Sequence, residues 1–218
     1  MKRSVVDICN LALARMGGRE IKHINDVERD PSQEALVCRL LYEPVLANLL
    51  NQYPFNFSTV GEPLALISKH ERRRSAYEYV YPAKAIRIWA VLPAEDIGWR
   101  PATYERLSQI VMDYQVGLNS AGIKVIYCHI PQAYVHYSVL PQDPAVFSPA
   151  FVSAFTWTLA AELALSLAGD KETYAMLTQQ AMLAVEQAKA ASARESQLTL
   201  PDPGVISIRE KSYDFPLG

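Results

Sequence analysis

Apolar residues along this chain repeat every three to four positions, then every two, then every three to four again. Val5, Ile8, Cys9, Ala12, Leu13 and Met16 keep the spacing of one helix face. Ser4-x-x-Asp7 precedes them as a capping-box-like start, and Gly17-Gly18 offers the left-handed conformation that ends a helix. A second helix is expected to open at Asp30-Pro31-Ser32-Gln33, with Asp30 as N-cap and Pro31 where a missing N–H costs nothing. Its stripe is Ala35, Cys38, Tyr42, Val45 and Leu49; Pro44 inside it predicts a kink, and Tyr53-Pro54 the stop.

From Phe57 to Leu140 the period falls to two. Tyr77, Tyr79 and Tyr81 alternate with Glu78 and Val80; Ile123, Val125 and Tyr127 alternate with Lys124, Ile126 and Cys128; Val135, Tyr137 and Val139 repeat the pattern. Prolines, glycines and Asn119 punctuate these runs, which predicts one antiparallel sheet of several short strands. Ser148-Pro149 then starts a helix that is apolar nearly all round: Phe151, Val152, Phe155, Trp157, Leu159, Leu163 and Leu167. Such a helix has to be covered on more than one side, by its own domain or by a neighbouring subunit. After Gly169-Asp170 a fourth helix folds back, with Tyr174, Leu177, Ala181, Val185 and Ala188 as its stripe. The last twenty residues hold Pro201, Pro203, Gly204 and Pro216 around the short extended run Val205-Ile206-Ser207-Ile208.

Composition narrows the class. Half of the 218 residues are hydrophobic and a fifth are charged, an ordinary globular balance. The net charge of −2 argues against a protein that lives by sequence-independent DNA binding. Ala150 to Ala168 is nearly uncharged, but Glu162 near its centre favours a buried helix over a membrane span. Three widely spaced cysteines, Cys9, Cys38 and Cys128, form no Cys-x-x-Cys pair and fit reduced thiols in a cytosolic product. No secretory signal is evident.

Chemistry-bearing motifs are absent: no Gly-rich phosphate loop, no Gly-x-Ser-x-Gly, no His-Glu-x-x-His and no paired Cys/His metal spacing. Cys128 and His129 are neighbours in a strand and point to opposite faces. A thiol–imidazole pair would have to join Cys128 to a distant residue such as His136, against the ordinary reading of Cys128 as a small core residue. Glu71, Glu78, Asp96, Glu105 and Asp113 offer carboxylates for sugar hydrolysis, with nothing to single out a pair. The basic cluster around Lys69, Arg72, Arg73 and Arg74 reads first as a solvated connection between strands, and second as a contact for an acidic surface or DNA phosphates. The alternating tyrosines read as core or subunit interface more readily than as a stacking platform.

One resemblance runs through most of the first 190 residues. Cys9-Asn10-Leu11-Ala12-Leu13-Ala14-Arg15-Met16-Gly17-Gly18 is similar to the start of the tail tubular protein A family, the head-to-tail adaptors of short-tailed bacteriophages. The likeness continues through Asp26, Ser32-x-x-Ala35-x-x-Cys38-x-x-x-Tyr42, Tyr53-Pro54-Phe55-Asn56-Phe57-Ser58, Tyr77-x-Tyr79-x-Tyr81-Pro82, Arg87-Ile88 and the helix pair from Pro149 to Ala188. Pro44, within a helix expected to be continuous, and Pro82-Ala83-Lys84 after Tyr81 depart from the family's pattern.

Pattern and resemblance together imply an α+β subunit. Two N-terminal and two C-terminal helices (1–56 and 142–197) would make an antiparallel, up-and-down bundle, with a small antiparallel β-sheet domain (57–141) inserted and an extended arm (198–218) at the end. The resemblance further implies twelve copies in a ring in the neck of the virion, assembled in the host cytoplasm. Its partners would be the portal protein, the tail nozzle (tail tubular protein B) and other copies of itself. DNA would pass through the channel without sequence-specific binding, and no membrane would be involved. No catalytic residue, metal or cofactor is expected. Phe151, Phe155, Trp157, Tyr77 and Tyr79 are expected at subunit interfaces. Ile206, Ile208, Tyr213 and Phe215 are expected to anchor the arm on the portal. The rival readings are a virion-associated cell-wall or polysaccharide hydrolase and a DNA-binding packaging factor.

Overall fold

The computed structural model describes residues 4–22, 30–69, 77–94 and 113–196. Among them are four α-helices and two small antiparallel sheets, an α+β chain. Helix α1 spans Val5–Arg15 and starts as its sequence predicts: Ser4 Oγ accepts from Asp7 N–H, while the Asp7 carboxylate accepts from Ser4 N–H at 2.8 Å. These bonds hold the Asp7 carboxyl below its ordinary range. Its end is a Schellman motif, with Gly17 at φ +74° and Gly18 N–H reaching Leu13 O at 2.8 Å.

Helix α2 spans Gln33–Leu50 and differs from expectation at its N-cap. Its N-cap is Ser32, whose Oγ accepts from Ala35 N–H. Asp30 instead holds that cap, accepting from Ser32 N–H and Oγ, and ties it to Lys22 N–H at 2.7 Å. The helix also runs on through Pro44 as one element to Leu50. Pro44 is exposed, on the side away from the core residues Tyr42, Val45 and Leu46. Packing on that opposite face holds the helix together across the missing ladder bond.

Helices α3 (Pro149–Ala168) and α4 (Lys171–Ser196) are joined by Gly169, at φ +63°, and Asp170, whose carboxylate caps Glu172 and Thr173 N–H. Helix α3 is long and apolar enough to cross a membrane by length and composition alone. Here it packs on α4, α2 and α1, and most of its large side chains are buried, as the central carboxylate predicted. Phe151, Phe155, Leu159 and Leu163 form a ridge at four-residue spacing, while Ala154, Ala160, Ala161 and Ala164 let neighbouring helices approach. One continuous core joins Ile8 and Leu13 of α1, Leu46 and Leu50 of α2, the α3 ridge, and Leu177, Val185 and Ala188 of α4. Phe55, Phe57 and Phe147 close one end of it around Phe151, with ring centroids 4.7–5.2 Å away.

The middle of the chain forms two sheets where one was expected. Strands β1 (Thr59–Pro63), β7 (Ala133–Ser138) and β4 (Arg87–Pro93) make the first, in the order β1-β7-β4. Strands β2 (Leu66–Lys69), β3 (Tyr77–Val80), β6 (Lys124–Cys128) and β5 (Tyr114–Leu118) make the second, in the order β2-β3-β6-β5. The division falls at Leu64-Ala65, where Leu64 N–H pays into the first sheet at Ala133 O and Ala65 O accepts from Val80 N–H of the second. Alternation places Val135 and Tyr137 of one sheet against Tyr79, Ile126 and Cys128 of the other in a shared small core.

Candidate functional site

The predicted interface residues are mostly spent inside the subunit. Phe151 and Phe155 are 0% exposed and Tyr79 is 1% exposed, so none of the three can meet a neighbouring subunit. This corrects the expectation for them: four helices and two sheets of the same chain cover faces that the pattern alone left open. Tyr79 also donates to Ile130 O at 2.7 Å, which fixes it in place. Trp157 is half-buried beneath the Arg15 guanidinium, 3.9 Å from its ring, and Arg15 also donates to Ser153 O. Tyr77 is half-buried with Lys69 Nζ 5.9 Å above its ring, and Lys69 itself is exposed. Arg72, Arg73 and Arg74, and the arm residues Ile206, Ile208, Tyr213 and Phe215, lie outside the described residues.

Among the described residues the candidate chemistries are not brought together. The Cys128 thiol is buried, pushed up by that burial, and its nearest polar partner is Ile130 O at 3.9 Å. His136 sits on the other sheet against Tyr134, and burial lowers its pKa. Glu78 is a buried carboxylate held by Ser68 Oγ at 2.7 Å and Asn119 Nδ2 at 3.0 Å, which makes it a brace for the β5–β6 turn. Glu71, Asp96 and Glu105 lie outside the described residues, and Asp113 is exposed. Among the described residues no group of three or more His, Cys, Asp or Glu side chains gathers as a metal site.

One concavity among the described residues is a feature that the sequence did not reveal. An open cleft of about 1340 Å³ lies between the helices and the first sheet. Val5 of α1 and Arg39, Tyr42, Glu43 and Leu46 of α2 form one wall. Val60 and Glu62 of β1, Tyr137 of β7 and the segment Val139–Gln142 form another, and Pro82–Lys84 closes the side. Two tyrosines shape its polarity. Tyr137 donates to Glu62 Oε1 at 2.8 Å, and burial together with that bond pushes its pKa up to about 12. Tyr42 is 7% exposed, packs edge-on against Phe155, and its hydroxyl has no partner among the described residues. Burial raises its pKa as well.

Among the described residues this lining contains no serine, cysteine or histidine, and the carboxylates of Glu43 and Glu62 in it are both exposed. A glycosidase acid sits out of water, where desolvation keeps it protonated. Its described lining mixes apolar side chains (Val5, Leu46, Val60, Val139 and Leu140) with charged ones (Arg39, Glu43, Glu62 and Lys84). The only prior signal for it was indirect: Tyr42, Val60 and Tyr137 belong to different periodic runs, and only the fold brings them together. No family model matches the chain, and no curated protein matches it either.

Proposed function

We propose that this chain is a non-enzymatic head-to-tail adaptor of a short-tailed phage virion, whose copies form a ring that binds the portal, extends the DNA channel and receives the tail nozzle. In this reading the four helices act as an up-and-down bundle, residues 57–141 as an inserted β domain and residues 198–218 as an arm. The family resemblance supplies the class. The observation that carries the reading is the set of large apolar side chains left exposed on two of the helices. On α2, Leu36 and Leu40 are 44% and 61% exposed; on α4, Met176, Met182 and Leu183 are 57%, 65% and 57% exposed. Scattered apolar residues are normal on a surface, but exposed apolar side chains on two different helices suit a head-to-tail contact that closes into a ring.

Mixing the protein with the portal protein of the same phage and measuring the mass of the product tests the assignment. A complex with many copies per portal ring supports it. Leu40→Asp with Leu183→Asp is expected to leave the subunit folded and to abolish multimerisation on the portal. Deleting residues 199–218 is expected to weaken portal attachment without unfolding the subunit. A folded monomer that never associates with the portal overturns the proposal.

A further inference from the structure

We infer that Cys9 of α1 and Cys38 of α2 are an oxidisable pair, which a low-molecular-weight disulfide converts into a covalent staple between the two helices. The pair follows from where the helix period puts each thiol. Cys9 lies on the inward face of α1 with Ile8, Ala12 and Leu13, and Cys38 on that of α2 with Ala35 and Tyr42. Both thiols are free, fully buried and part of one core. Val5, one turn before Cys9, and Tyr42, one turn after Cys38, line the same cleft, so the fold brings these turns of α1 and α2 to one place. There the Cys9 S–H donates to the Cys38 sulfur. Cys128 is no alternative partner, because it sits in the separate core between the sheets.

The two thiols are not equivalent. Donating to Cys38, together with burial, pushes the Cys9 thiol up, while accepting from Cys9 brings Cys38 down. Cys38 is therefore the attacking sulfur and Cys9 the resolving one. The Cys38 thiolate attacks one sulfur of the small disulfide, forming a mixed disulfide and expelling a thiolate, which takes up the proton that Cys38 lost. Cys9 then gives up its proton and attacks the Cys38 sulfur, expelling the second small thiol. Two protein thiols are oxidised, and one small disulfide is reduced to two thiols. The Tyr42 hydroxyl is placed to assist. It is buried without a partner among the described residues, and burial, followed by the nearness of the Cys9 thiol, raises its pKa. Still protonated, it is a donor for the thiolate that forms beside it.

Both sulfurs are shut off from water, so exchange proceeds through a local opening of the helices. Helices α1 and α2 pack chiefly on α3 rather than on each other. The staple thus joins directly two elements whose cohesion otherwise runs through a third. By closing the loop from Cys9 to Cys38 it also restricts the unfolded chain.

The inference does not need the adaptor reading, and it is tested on the isolated full chain. The Cys128→Ala chain is equilibrated with oxidised and reduced glutathione, and its non-reduced peptides are mapped by mass spectrometry. A Cys9–Cys38 link within one chain, reversed by dithiothreitol, is expected. The folded chain should be half-oxidised at a ratio of glutathione disulfide to squared thiol about tenfold or more below that needed in urea, since a link that stabilises the fold is stabilised by it in return. The oxidised form should also unfold at higher urea than the reduced form. Cys9→Ala is expected to trap glutathione on Cys38, whereas Cys38→Ala leaves Cys9 unmodified. Should Cys128→Ala perturb folding, the unsubstituted chain gives the same map with Cys128 unreacted. Links between chains, a link to Cys128, equal ratios in the folded and urea-unfolded chain, a lower urea midpoint on oxidation, or glutathione on Cys9 of the Cys38→Ala chain each overturn the inference.

Discussion

The helices and the sheets are built on different principles. The helical part buries one continuous set of leucines, alanines and phenylalanines, and α3 is wrapped by three other helices of its own chain. The sheet part has a much smaller core, and its aromatic residues are pinned by polar bonds: Tyr79 to Ile130 O, Tyr137 to Glu62, and Trp89 Nε1 to Ser138 Oγ at 2.7 Å. Both parts leave some apolar side chains exposed, Leu66, Val116, Leu118 and Ile123 among those of the sheet part. Stability should therefore reside in non-directional packing among the helices and in individual hydrogen bonds within the sheets. The sharpest way to break that contrast is Phe155→Ala. Phe155 is fully buried, with its ring centroid 5.0 Å from that of Tyr42 and 6.2 Å from that of Phe151. Its loss should cost about 3–5 kcal/mol in urea denaturation, because the surrounding helices close only partly over the cavity.

How much of this was readable beforehand follows the same division. Helix positions, the Ser4 and Ser148 caps and the Gly17 and Gly169 stops were legible because each depends on a few consecutive residues. Asp30 was misread as a cap because Asp30 and Ser32 are both good capping residues, and the geometry two residues on decided for Ser32. The split into two sheets was not legible, since nothing in a period of two says which strand pairs with which. Phe151 and Phe155 were assigned to subunit contacts because an all-round apolar helix looks the same whether its cover comes from within or from a neighbour. The cleft was invisible for a related reason: its walls come from α1, α2, β1 and β7, far apart in the chain.

On the sheet side, Tyr79→Phe tests the hydrogen-bonded design. The substitution keeps the ring and removes only the donor to Ile130 O. An expected loss of about 1–2 kcal/mol in the same denaturation experiment would show that the bond matters there beyond apolar burial. A change near zero would make the sheet core as indifferent to polar detail as the helices and erase the contrast. Ser4→Ala probes the helical side at its least packed point, the exposed capping box of α1. It should cost about 1 kcal/mol, and adding salt should change that little, because the cap is a local bond.

The smallest effect at neutral pH, and the most selective between the two regions, lies in the alkaline range. Tyr137, Tyr79 and Tyr114 of the sheets all have pKa values raised by burial, Tyr137 to about 12, and so does Tyr42 of the helical part. An unfolded tyrosine titrates near 10. Between these values the unfolded chain has released protons that the folded chain still holds, so stability falls as pH rises. The contribution of Tyr137 is thus intact below about pH 10 and is lost as pH climbs through about 12. Tyr137→Phe removes both the titrating hydroxyl and its bond to Glu62, and should flatten the decline in urea midpoint above pH 10. Region-resolved hydrogen exchange over the same range should show β7 and β3 opening before α3. If α3 loses protection first, or together with the strands, the tyrosine bonds are not what the sheets depend on.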